Sequence, residues 1–211
     1  MTIPVIILGA GGHANVLISV LKTGKIDILG ITDLVTAKVG DHINGNPVLG
    51  QEDIIFRYLP DSILLVNGIG SVGSTTKRGT IYEKFKNHGY SFISVIHPSA
   101  IIMDEVQLGE GVQIMAGAIV QTGCTIGDNA IINTGAIIDH DCIIGAHVHV
   151  ASGAVLSGGV EVGVMSHIGT SATVIQGIKI GAGSIIGAGA VIIKDIPSGV
   201  KAFGVPARIR G

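Results

Sequence analysis

An aliphatic residue stands at every sixth position from Ile96 to Ile192, and all seventeen of these positions hold Ile, Val or Leu. A period of six belongs to neither a strand nor a helix, whose apolar faces recur about every 2 or about every 3.6 residues. Four places after each comes a residue that is mostly small or modest, such as Ala118, Ala136, Ala154 or Ala172, and both cysteines, Cys124 and Cys142, fall on this slot. A slower rhythm lies on top, with Gly109, Gly127, Gly145, Gly163 and Gly181 recurring once in every third hexad. Three hexads are the length of a coil with three short strands and three corners. The glycine row predicts one corner where special backbone angles are needed. Residues 96–211 are therefore expected to form a parallel β-helix of a little over five coils. Residues three hexads apart become neighbours there, because stacked strands pair at about 4.8 Å.

Composition narrows the function classes. Hydrophobic residues make up 47% of 211 and charged residues 13%, with 33 glycines, which excludes a disordered chain. With no Trp, three Tyr and four Phe, the chain lacks an aromatic platform for single-stranded nucleic acid, and a net charge of −2 argues against a phosphate-backbone footprint. Mean hydropathy is +0.63, and residues 142–160 are long enough and free enough of charge to be weighed as a membrane span. The hexads, together with His147 and His149, explain that stretch better. Two cysteines give no disulfide framework and MTIPVIILGAGGH has no basic targeting region, so a cytoplasmic protein is expected.

Residues 1–95 lack the hexad and alternate between strand and helix patterns. VIILGAGGHANVLISVLK reads as an apolar strand, a glycine turn, and a helix with Val16, Leu17, Val20 and Leu21 on one face. Further strands are expected at 26–31, 62–66 and 91–95, with helices near 52–58 and 75–88. Together these make a small Rossmann-like α/β domain with a parallel sheet. Gly9-Ala10-Gly11-Gly12-His13-Ala14 fits G-x-G-x-x-A, with Asp33 about 20 residues on. Such a turn serves a tight bend alone, or lets a helix N-terminus approach an anionic diphosphate. The unit is half the size of a full dinucleotide-binding domain, which counts against NAD.

The hexads and the ending IPSGVKAFGVPARIRG resemble the left-handed β-helix acyltransferases of the hexapeptide-repeat superfamily. GAGGH at the start, NPVLG at 46–50, HPSA at 97–100 and NTGAIIDHD at 133–141 extend the resemblance to the NeuD/PglD-type sugar O-/N-acyltransferases. That resemblance implies a homotrimer with acyl-CoA in grooves between prisms. It implies a nucleotide sugar at the glycine turn, through Gly9, Gly11, Gly12, His13, Asp33 and Gly70, with the sugar amine reaching the prism of an adjacent subunit near Asn133 and His149. Thr170 and Ala188 match positions that contact CoA. His140 lies just off an inward Ile138 and projects outward, and a histidine of ordinary pKa about 6.5 suits proton removal from an attacking amine.

In the resembled family this histidine is the proposed base, paired with a following Glu. Here Asp141 stands in that place, with Asp139 as an alternative partner. Gly158, one coil beyond His140, is implied as the backbone donor to the oxyanion. Glycine as a mere corner residue is the rival reading there. His167 stands one coil beyond His149 and matches nothing. A zinc site of the carbonic-anhydrase kind lacks its third histidine, since Gln113 stands two coils before His149, and no metal is expected. The expected activity is acetyl-CoA-dependent N-acetylation of a UDP- or GDP-linked amino-dideoxy sugar in glycan synthesis, by direct transfer. The alternatives are O-acetylation of a sialic-acid-type sugar and a non-catalytic trimeric nucleotide-sugar-binding module.

Overall fold

The computed structural model describes residues 3–33, 39–71 and 74–210, and the chain divides into two compact units. One comprises Met1–Gly70 and Thr80–Val95, the other Ser71–Gly79 and Ile96–Gly211.

The first unit is built on β1 (Val5–Leu8), α1 (Gly12–Thr23), β2 (Ile28–Thr32), β3 (His42–Ile43), β4 (Asn46–Gly50) and β5 (Leu64–Asn67). Sheet order is β3-β4-β2-β1-β5, with β1 parallel to both β2 and β5. β1 is buried along its whole length, as the continuous apolar run VIIL requires of a central parallel strand. Ile6, Leu8, Ile55, Leu65, Phe85 and Phe92 pack one core. The helix expected near 75–88 is α2 (Thr76–Lys86), and the one near 52–58 is a 3₁₀ segment, Glu52–Arg57.

Two further departures from the sequence expectations have local causes. Residues 91–95 form no continuous strand. Phe92 makes a single bridge to Leu65, while Val95–Ile96 is the end strand of a prism sheet. The hairpin of β3 and β4 was not anticipated, although Asn44-Gly45 at its tip, with φ of 49° and 78°, is a standard signal for a two-residue hairpin turn.

The second unit is a left-handed β-helix whose two-residue strands stack in three sheets. Its first face includes Ile119–Val120, Ile137–Ile138 and Val155–Leu156, its second Thr125–Ile126 and Ile143–Ile144, its third Ile131–Ile132, His149–Val150 and His167–Ile168. Each strand pairs with its counterpart three hexads on, as in Ile137↔Val155 and His149↔His167. The repeating aliphatics and the small slot, including Cys124 and Cys142, fill the interior. At the open end Ile96 is 40% exposed, because no earlier coil covers it. There the HPSA residues close the first corner, with Ser99 N–H donating to His97 Nδ1 at 3.0 Å and Gly117 N–H to Ser99 Oγ at 3.1 Å. At the other end a hairpin of Lys201–Phe203 and Arg208–Arg210 terminates the third sheet.

The glycine row owes its identity to stacking and not to dihedral angles, which corrects the expectation above. Left-handed backbone recurs at a different slot, every sixth residue from Glu105 to Gly189, and is shared by glycines and by Asn129, Asp141, His147, Met165 and Ser171. Gly127, Gly145 and Gly163 lie where the next coil passes closest. A Cβ there would stand 2.6 Å from Ala146 N, 2.7 Å from Val164 N and 2.5 Å from Ala182 N. Two glycines on one corner therefore have different sensitivities. Gly183→Ala meets only the left-handed penalty, about 1–2 kcal/mol, since nothing lies within 4 Å of its Cβ position. Gly127→Ala forces backbone apart and is expected to lose about 3 kcal/mol. Urea unfolding of the two variants side by side measures the difference, and equal losses would refute the stacking explanation.

Candidate functional site

In the first unit the expected nucleotide-sugar residues gather at the carboxyl ends of the parallel strands. β2 lies on one side of β1 and β5 on the other, so the loops after β1 and β5 flank the point where strand order reverses, the usual ligand crevice of such sheets. Gly9 follows β1 with φ +94°, an angle that favours glycine, and its N–H donates to Thr32 O at 3.0 Å. Gly11 is the N-cap of α1 in extended conformation, with no side-chain cap and no acidic residue in the first turn. The helix thus starts with backbone N–H groups uncompensated by its own side chains.

Neither Gly11 nor Gly12 has positive φ, and a Cβ at either meets nothing within 4 Å. Folding of this unit does not require glycine there, whereas close approach of a ligand does. Gly70, after β5, lies against His13, with 3.2 Å between its Cβ position and His13 Cβ. Asp33 follows β2 and donates its N–H to Gly50 O at 2.9 Å.

In the prism, His140 and Asp141 occupy the corner after the first face. The Asp141 carboxylate only accepts, so His140 Nδ1–H donates to Asp141 Oδ2 at 2.9 Å, and in the neutral ring the Nε2 lone pair is then the free one. Asp139 holds the backbone instead, its Oδ1 accepting from His140 N–H at 2.8 Å. The shorter acid reaches the ring because Asp141 takes left-handed backbone, φ 59°. The Asp141 hydrogen bond, then the charge of Asp139, hold the His140 pKa above its ordinary value, although the side chain is 59% exposed.

Two glycines make room for this pair. Gly123, one coil earlier, lies under the Asp141 carboxylate, and Gly158, one coil later, lies against the imidazole, where a Cβ would stand 2.5 Å from Nε2. The Gly158 N–H donates no hydrogen bond among the described residues. The base nitrogen thus lies against Gly158.

Other expected residues lie elsewhere on the prism. Asn133, Thr170 and Ala188 belong to the corner before the first face, and Thr170 and Ala188 are exposed there, on successive coils. One prism therefore does not bring them beside Gly158. His149 does lie against His167 on the next coil, ring centroids 4.9 Å apart and the rings edge to face. It is only 7% exposed, with Ser71 Oγ 2.6 Å from Nδ1 and Asn133 Nδ2 3.1 Å from Nε2. Ser71 carries no motif, and nothing in the sequence points to it. Burial lowers the His167 pKa, and its Nδ1 has no partner among the described residues.

The cysteines carry no chemistry. Cys124 Sγ donates to Asp139 O and Cys142 Sγ to Ser157 O, and burial pushes the Cys142 pKa up to about 12, far from a thiolate nucleophile. Among the described residues no three His, Cys, Asp or Glu side chains converge as a metal site, and no helix is long and apolar enough to cross a membrane.

Fold and site together define an acyltransferase of the hexapeptide-repeat superfamily. Residues 4–85 match the family described as the PglD N-terminal domain, and residues 105–140 and 123–158 match the bacterial transferase hexapeptide (six repeats). A search of curated proteins finds no match. Among solved structures, a histidine-to-asparagine variant of perosamine N-acetyltransferase from Caulobacter crescentus, in complex with CoA and GDP-perosamine, is 39% identical. The alignment covers 99% of this chain and 97% of that one, with a TM-score of 0.90. The acetyltransferase domain of PglB from Neisseria gonorrhoeae FA1090 is 35% identical over 99% and 100% of the two chains, TM-score 0.90. WeeI from Acinetobacter baumannii AYE is 28% identical over 99% and 100%, TM-score 0.88. The chain belongs to the NeuD/PglD-type sugar acyltransferases.

Proposed function

We propose that this enzyme transfers the acetyl group of acetyl-CoA to the amine of a UDP- or GDP-linked amino-dideoxy sugar, in a single step without an acyl-enzyme. The observation that carries this reading is the His140–Asp141 pair, which turns the ring's Nε2 edge onto Gly158. The amine nitrogen attacks the thioester carbonyl, and His140 Nε2 takes the amine proton. The Gly158 N–H donates to the resulting oxyanion. Collapse expels the CoA thiolate, which takes the proton from His140 and leaves as the thiol. Asp141 holds the reactive tautomer throughout.

The glycine turn and the N-terminus of α1 receive the diphosphate, with Gly9, Gly11, Gly12, His13, Asp33 and Gly70 around it. Asn133 and His149 serve the acceptor sugar, while Thr170 and Ala188 line the path of CoA. Their position, on a different corner from Gly158, supports a homotrimer in which neighbouring prisms share each site. Support for the substrate classes comes from the perosamine enzyme bound to CoA and GDP-perosamine, and from the PglB domain bound to acetyl coenzyme A. The reading places the enzyme in the cytoplasm, where acetyl-CoA and nucleotide sugars are made.

The test is a panel of UDP- and GDP-linked amino sugars with acetyl-CoA and a thiol readout, alongside hydroxyl analogues lacking the amine. CoA release that requires the amine supports the reading, and release with the hydroxyl analogues overturns it. Light scattering at micromolar concentration is expected to give three times 21.5 kDa. A fully active monomer would sink the shared-site arrangement.

A further inference from the structure

The hydrogen bonds that Asn133 and Ser71 make around His149 indicate which ring nitrogen carries the proton. Thr134 N–H donates to Asn133 Oδ1 at 2.8 Å, which settles which end of the amide is oxygen and turns Nδ2 toward His149. Nδ2 carries only hydrogens, so His149 Nε2, 3.1 Å away, accepts. A neutral imidazole that accepts at Nε2 bears its proton on Nδ1. That proton faces Ser71, with Oγ at 2.6 Å and the backbone O at 3.1 Å.

Ser71 is itself buried. The segment Ser71–Gly79 belongs to the same compact unit as the prism. Thr75 Oγ1 donates to Met165 O at 2.7 Å, and buried Arg78 donates from Nε to Asn129 O at 3.2 Å. Gly79 leaves room for the Met165 methyl, which would stand 2.7 Å from a Cβ there. Asn129 and Met165 both take left-handed backbone at one corner.

We propose that Ser71 is a positioning residue for acceptor binding: its oxygens hold His149 in the neutral Nδ1–H tautomer, and His149 Nε2 in turn aims the Asn133 amide. This rests on the proposed role of Asn133 in holding the acceptor sugar. Asn133 is partly exposed, and its Nδ2 keeps a second hydrogen for a ligand hydroxyl or carbonyl. His149 acts through Asn133 and exchanges no proton with substrate.

The experiment combines tautomer and kinetic readouts on the full chain. In protein labelled with 15N in its histidine rings, the His149 signals, assigned by their loss in His149→Gln, are expected to show protonated Nδ1 and bare Nε2 at neutral pH. Ser71→Ala is expected to raise the acceptor KM about 3- to 10-fold, the range for one hydrogen bond, with kcat and the acetyl-CoA KM within about 2-fold. Ser71→Thr, which keeps the hydroxyl, is expected to restore it.

Asn133→Asp replaces a donor by a group that only accepts, and is expected to move the His149 proton signal to Nε2 and raise the acceptor KM at least about 10-fold. Protonated Nε2 in the unaltered enzyme overturns the proposal, as does Ser71→Ala with an unchanged acceptor KM. Absence of acetyl transfer by the unaltered enzyme to any amino sugar sinks the proposed function instead, and the tautomer signals still decide the hydrogen-bond chain.

Discussion

His140→Ala is expected to leave both substrates bound and to lower kcat by about 10²–10⁴, the usual range for loss of a general base. The side chain is more than half exposed and takes no part in the prism interior, so the variant should fold and melt like its parent. The two acids divide the remaining work. Asp141 contacts the ring, so Asp141→Asn removes the charge that steadies the imidazolium and is expected to cost about 10-fold in kcat. Asp139 contacts the backbone N–H, which an Asn oxygen can still accept, so Asp139→Asn is expected to cost less. The pH dependence has a definite sign. His140 is a base only when unprotonated, and its pKa is raised, so kcat/KM rises with pH through an ionisation above the ordinary histidine value. Asp141→Asn and Asp139→Asn each remove a cause of that elevation and should move the limb to lower pH. An acceptor with a different amine pKa separates this limb from ionisation of the substrate. Wild-type kcat at saturation in His140→Ala would exclude the base.

The prism was the legible half of the molecule, because its long-range neighbours obey a fixed offset of three hexads. One such step from His140 finds Gly158, and one from His149 finds His167, both in contact in the structure. The offset is silent on what happens within a corner. It did not show that left-handed backbone at Asp141 turns a short acid onto the preceding ring, since that depends on φ and not on spacing. Nor did it show why the glycine row is glycine, because a period cannot distinguish strained dihedrals from close stacking. Ser71 was beyond reach for another reason. It lies outside the repeat, far from His149 in the chain, and no periodicity links the two. In the first unit the glycine turn was legible as a motif. That Gly11 and Gly12 stand in open space, and so are not needed for packing, required coordinates.

That open space makes Gly12→Val the sharpest test of the first unit. At the first helical position of α1 a valine meets no atom within 4 Å of its Cβ, and the helical backbone there suits any L-residue. Stability should therefore hold within a few tenths of a kcal/mol of the parent, which thermal unfolding checks first. Binding is another matter. A diphosphate reaches the uncompensated N–H groups of the helix start only if nothing projects from Gly11 and Gly12, and a branched side chain holds it off by more than a hydrogen bond can stretch. Two lost charge-assisted bonds at about 1.5–3 kcal/mol each correspond to at least about 100-fold. The acceptor KM is expected to rise by that factor, while the acetyl-CoA KM stays within about 2-fold. Gly9→Val serves as the contrast, because φ +94° at that position destabilises the fold along with binding. An unchanged acceptor KM in well-folded Gly12→Val would remove the diphosphate from the glycine turn, and an equal loss of both substrates would do the same.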